Sequence, residues 1–137
     1  MRTFASVAKN LSMDHVLIVH GFDGLDEITI TDSTYVAELK DNTISEYEIS
    51  PKDFGLSLGA LPEISATSPD DSLKLIREAF SGYKSAVQDM IALNAGAALY
   101  LAEKVDSIAN GVELSFELMN NGMAADKLAS YVRVSNS

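Results

Sequence analysis

The residues best suited to chemistry form one run, His20-Gly21-Phe22-Asp23-Gly24-Leu25-Asp26-Glu27, which follows an apolar segment and contains two glycines and three acids in its last seven positions. Adjacent carboxylates on a glycine-jointed loop suit a hard cation. Mg²⁺ takes oxygen ligands, keeps several waters and is commonly held by one or two carboxylates together with substrate phosphates. The same composition also serves a plain turn, because Asp bonds to nearby backbone and Gly accepts positive φ. Residue types alone leave both readings open. An EF-hand is excluded, since Asp23 and Asp26 are three apart and the alternating acidic pattern of that loop is missing.

Other chemistry is largely excluded by composition. The 137 residues contain no cysteine, so there is no thiolate nucleophile, disulfide framework or Cys-based zinc site, and the cytoplasm is the expected location. The two histidines, His15 and His20, are too few for a His-rich metal site. No catalytic or cofactor-binding side chain is assigned, and His20 is expected to end a strand and bond to the loop. Ten basic residues against twenty acidic ones give a net charge of -10, which opposes binding to a phosphate backbone. No nucleic-acid partner is expected. The uncharged stretch from Met90 to Ala102 falls short of the ~20 residues of a membrane span and is expected to be a core helix, so no membrane partner is expected either.

The elements that must position the acidic run follow from periodicity. Phe4, Val7, Ala8 and Leu11 have helical spacing, predicting a short amphipathic helix over residues 3–11 with those side chains inward. The run Val16 to Val19 is expected to be a central strand covered on both faces, usually in a parallel sheet. Ile28 to Thr31 is expected as a short strand, and Tyr35 to Leu39 with Ile44 to Ile49 as a hairpin about Lys40-Asp41-Asn42-Thr43. Glu46, Glu48 and Asp53 are assigned to a solvated face. Ser68-Pro69-Asp70-Asp71 supplies an N-cap, a proline and acids for a helix whose inner face is Leu73, Ile76 and Phe80 and whose stop is Gly82. A second helix is expected from about Ala86 to Val105, its Ala95 to Ala98 stretch allowing close packing and its Asn94 a satisfied amide. Ser107 caps a third ending at Asn120-Asn121-Gly122, and residues 124–132 make a fourth.

Three ordered segments carry a family resemblance. Residues 16–28, VLIVHGFDGLDEI, are similar to the VVHGxDGLDE segment of anthranilate phosphoribosyltransferases. Tyr47 to Leu56 resembles that family's EYxxxPEDFGL, and Asp89 to Tyr100 resembles its RDxVLLNAAAALY. The tail, Gly111-Val112 followed by Gly122 and Leu128, resembles its EGVxLAxEAIxSGxAxxxL. Two departures stand out: Ala66 to Ser72 replaces GGDAxENA, and Gln88 replaces an Arg.

The resemblance implies an α/β fold in which part of a mixed sheet, a central strand plus a hairpin, is covered by C-terminal helices, as in the C-terminal domain of nucleoside phosphorylases and phosphoribosyltransferases. It implies that residues 1–137 are a single α/β domain from the C-terminal part of a larger catalytic domain. It also implies transfer of a phosphoribosyl group from phosphoribosyl pyrophosphate to anthranilate in tryptophan biosynthesis. Asp26 and Glu27 match the family's acidic pair that holds Mg²⁺ on the donor's pyrophosphate. The family's GTGGD and KHGNR segments do not occur in these residues, so the chain alone is expected to be inactive. Pairing with an N-terminal half, or self-association through the surfaces such a half would cover, is expected. The alternative from another class is a stand-alone α/β binding module that pairs with a separately encoded half.

Overall fold

A computed structural model describes residues 1–137, and its elements begin and end where local side chains dictate. Helix α1 spans Arg2–Asn10. Three strands follow, β1 (His15–Gly21), β2 (Thr34–Lys40) and β3 (Thr43–Ile49), then a 3₁₀ turn at Pro51–Phe54 and a short helix α2 (Leu61–Ile64). Helices α3 (Pro69–Phe80), α4 (Ala86–Leu101) and α5 (Ile108–Asn120) are each opened by a serine. Ser68, Ser85 and Ser107 accept the backbone N–H of Asp71, Gln88 and Asn110 at 3.1, 3.2 and 3.1 Å, satisfying donors that the first turn leaves free. Helix α6 (Met123–Ser135) closes the chain. Glu103, at φ 53°, turns the backbone just after α4, so that helix ends earlier than its apolar pattern suggests.

The sheet is an antiparallel meander in the order β1-β2-β3. The central strand is β2, and β1 lies at one side, bonded to β2 alone. The apolar run 16–19 therefore does not mark the middle of a parallel sheet: its residues are half-buried because helices cover both faces. Asp41 and Asn42, both at positive φ, make the two-residue turn of the predicted hairpin, which matches the twist of the flanking strands. The expected strand at 28–31 does not form. Those residues run through bends, with Ile28, Thr29 and Ile30 buried.

Helix α1 covers one face of the sheet. Small Ala5 and Ala8 are buried there, while Phe4, Val7 and Leu11 project outward, Phe4 and Leu11 about 70% exposed (68% and 70%). This reverses the predicted inner face for three of its four residues. With alanines at the contact the helix sits close to the sheet, and larger side chains are turned away. The other face carries Val36 and Ile49, which join Ile28, Ile30, Leu93 and Val112 in the main core beneath α4 and α5. Those two helices cross at glycine: a Cβ on Gly96 would lie 2.6 Å from the Val112 nitrogen, and one on Gly111 would overlap the Gly96 backbone.

Candidate functional site

The acidic run leaves the end of β1 as a tightly tied loop. Gly21 N–H donates to the Leu25 carbonyl at 2.8 Å, and Gly24 N–H to the Gly21 carbonyl at 2.9 Å. Gly24 has φ 94°, which only glycine adopts readily, and a Cβ on Gly21 would overlap the Asp23 carboxylate. Turn chemistry therefore accounts for both glycines.

Asp23 belongs to the turn as well. Its carboxylate accepts the Thr29 hydroxyl at 2.6 Å, the Leu25 N–H at 3.1 Å and the Thr31 hydroxyl. Burial pushes the Asp23 carboxyl up, but these hydrogen bonds outweigh burial and hold it below its ordinary value. With its oxygens engaged, it braces the loop and has no free lone pair aimed at a cation.

Asp26 and Glu27 behave differently. Both are exposed, and neither side chain makes a hydrogen bond or ion pair. They stand at the rim of a cavity of about 570 Å³ between the loop and helices α2, α3 and α4, lined by Leu61, Ile64, Leu75, Ile76 and Met90 among others. No cluster of three or more His, Cys, Asp or Glu capable of holding a metal occurs in the chain. Two free carboxylates fit the donor set of Mg²⁺, which uses few protein ligands and takes its remaining oxygens from water and a phosphorylated substrate. They do not fit a metal that needs a complete protein cage.

On the other side of the pair, Asn94 of α4 reaches Ile28. Its Oδ1 accepts the Ile28 N–H at 3.0 Å, and its Nδ2 donates to the Ile28 carbonyl at 2.8 Å and to the Met90 carbonyl at 3.0 Å. It is the satisfied amide that was expected, and it touches the candidate site directly.

His20 is exposed and makes no hydrogen bond to the loop, contrary to expectation: on β1 it faces outward beside Tyr35. The histidine with partners is His15, at the opposite end of the strand. Its Nε2 lies 2.8 Å from Glu38 Oε1, and Glu38 also accepts the Tyr47 and Tyr100 hydroxyls at 2.9 Å each. The signal for this cluster was a lone acid within the run Tyr35 to Leu39 of the central strand. Asp53 is not merely solvated, because its carboxylate accepts the Ser50 N–H at 2.7 Å and caps the 3₁₀ turn. Gln88, at the position of the family's Arg, is buried and donates to the Ala79 carbonyl and Asn120 Oδ1, both at 3.1 Å. Beside it, Asp89 Oδ1 is buried without a donor, and burial pushes that carboxyl up against the lowering effect of Lys84.

Comparison with known proteins agrees with the fold and the motifs. The family model described as "Glycosyl transferase family, a/b domain" matches residues 1–125. An anthranilate phosphoribosyltransferase of Vesicomyosocius okutanii is 46% identical over 131 residues, and one of Halorhodospira halophila is 46% identical over 132 residues. Each match covers 96% of this chain and 39% of the relative. Among solved structures, the anthranilate phosphoribosyltransferase of Thermus thermophilus superposes with a TM-score of 0.86 at 30% identity, over 97% of this chain and 39% of that one. The Saccharomyces cerevisiae enzyme, in complex with PRPP and Mg, superposes with a TM-score of 0.83 at 22% identity, over 98% of this chain and 39% of that one. The resemblance read from the three motifs is thus borne out across the chain, which spans about 39% of the length of these relatives.

Proposed function

The chain belongs to the glycosyl transferase family, in its a/b domain, and from that membership we propose that it forms the cation-holding part of an anthranilate phosphoribosyltransferase. In this reading residues 1–137 are one α/β unit of a larger catalytic domain, and the remaining part is its partner. The substrates are phosphoribosyl pyrophosphate and anthranilate, and the setting is tryptophan biosynthesis in the cytoplasm. The observation that carries the proposal is the placement of Asp26 and Glu27. They are adjacent, exposed and without partners, on a loop held from within by Asp23 and from α4 by Asn94.

The chemistry this chain supplies is electrostatic. Bound Mg²⁺ would neutralise charge that develops on the departing pyrophosphate. Asp26 and Glu27 would hold the cation at the loop's outer edge, and the brace behind them would keep both carboxylates in place without reorganisation. No covalent nucleophile is required, which agrees with a chain that has no cysteine. The alternative of a stand-alone binding module draws no support from the relatives described, which are transferases.

The test uses Mn²⁺ as a paramagnetic substitute in ¹H-¹⁵N spectra of the 137-residue chain. Broadening centred on residues 24–28 that Mg²⁺ reverses is the expected result, and it should vanish in the double variant Asp26→Asn plus Glu27→Gln. Broadening that persists in the double variant, or that spreads evenly over the acidic surface, would overturn the assignment.

A further inference from the structure

We infer that Asn94 is a positioning residue for the acidic pair: by bonding both the N–H and the C=O of Ile28, it fixes the backbone directly after Glu27. The inference rests on the reading of Asp26 and Glu27 as cation ligands and adds to it a residue on a different element.

The argument starts from the backbone groups. Ile28 is buried (3% exposed), yet residues 28–31 form no strand, so no ladder is available to satisfy its peptide groups. A buried N–H and C=O left unpaired would each be costly. Asn94 presents the amide that a neighbouring strand would otherwise present, accepting at 3.0 Å and donating at 2.8 Å to the same residue. Its third bond, to the Met90 carbonyl one turn back, locks the side chain against its own helix. That helix packs backbone against backbone on α5 at Gly96, two residues from Asn94, so the clamp springs from the closest helix contact of the core.

The clamp also completes a brace. Asp23 bonds the Leu25 N–H on one side of the pair, and Asn94 bonds Ile28 on the other. Asp26 and Glu27 are the two residues between these fixed points. Their side chains are unrestrained by hydrogen bonds, so their placement depends on backbone held at both ends. Groups that orient metal ligands typically change metal affinity by 10- to 100-fold when removed.

The experiment compares Mn²⁺ binding to the wild-type chain with that of Asn94→Leu, Asn94→Ser and Gln88→Leu. The last variant breaks buried hydrogen bonds of α4 without touching the loop, and serves as a control for general loosening. Hydrogen exchange of the Ile28 amide is followed in parallel. Both Asn94 variants should bind Mn²⁺ about tenfold more weakly or worse, with faster exchange at Ile28, while Gln88→Leu keeps the wild-type affinity. The serine variant retains a small polar side chain at the site if leucine prevents folding. Equal Mn²⁺ affinity in a folded Asn94 variant whose Ile28 amide has been released would overturn the inference and leave the acidic pair standing. The same holds if Gln88→Leu weakens binding as much as the Asn94 variants do. Absence of Mn²⁺ binding in the wild type would instead remove the reading of the pair, and the inference with it.

Discussion

Glu38 shows how strongly one side chain can depend on its neighbours. Its carboxylate is 11% exposed and gathers Tyr47, Tyr100 and His15 around two oxygens. Burial alone pushes this carboxyl up, yet the hydrogen bonds from these three groups outweigh burial and hold it below its ordinary value of 4.5. Tyr47 shifts in the complementary sense, its hydroxyl pushed up by burial and by the carboxylate it bonds. Removing the carboxylate strands the Tyr47 hydroxyl and an imidazole nitrogen at a largely dry site, while the Tyr100 hydroxyl keeps only the Lys40 Nζ it accepts from at 3.0 Å. Glu38→Ala should cost about 3 kcal/mol in urea unfolding, the scale for breaking a buried, hydrogen-bonded pair. A loss below about 1 kcal/mol, the worth of a surface pair, would show that the cluster is solvated. Because the folded value is depressed, this group's contribution is present above pH 4.5 and is lost as the pH falls through the lowered folded value. The wild type should therefore lose stability more steeply than Glu38→Gln over that acid range.

Among the elements, α4 does most to organise the molecule. It meets α5 at Gly96 and Gly111, clamps the acidic loop through Asn94, and reaches Glu38 through Tyr100. A methyl group on Gly111 would overlap the backbone of Gly96, with no flexible side chain to yield. Gly111→Ala should destabilise by about 3 kcal/mol or more, at the upper end of overpacking costs, and thermal unfolding will show it. A neutral result would mean that the helices can separate freely. The close crossing was legible in the sequence because a run of Ala and Gly inside an apolar helix has few other uses. The caps at Ser68 and Ser107 and the hairpin were legible too, since each is set by a few adjacent residues, whereas the Ser85 cap of α4 was not read. The inner face of α1 was not: helical spacing identifies Phe4, Val7, Ala8 and Leu11 as one stripe, but only the sheet decides that Ala5 and Ala8 make the contact. Likewise the β character of residues 28–31 was overridden by hydrogen bonds from Asn94 and Thr34, which are distant in chain or absent from any local pattern. At the candidate site, Asp26 and Glu27 emerged through the motif. The supporting role of Asp23 depended on three partners that spacing does not reveal.

At the scale of the whole molecule, the chain presents one well-supported loop and spans about 39% of its relatives' length. The glycine-rich phosphate segment expected of the family is not among these residues, so under the proposed function donor binding by this chain rests on two carboxylates and a cation. The chain by itself should show no phosphoribosyl transfer to anthranilate in a fluorescence assay that follows anthranilate consumption. Turnover above the no-enzyme control would mean that the segments assigned to donor binding are dispensable. The net charge of -10 disfavours close approach of two copies, whereas the exposed Phe4, Val7 and Leu11 favour it. The position of β1 bears on the same balance over longer times. A strand bonded on one side only, carrying the run Val16 to Val19, leaves a row of peptide groups able to template another chain. During storage or heating, that rim, like the one β3 presents on the other side of β2, is open to strand addition by a second copy.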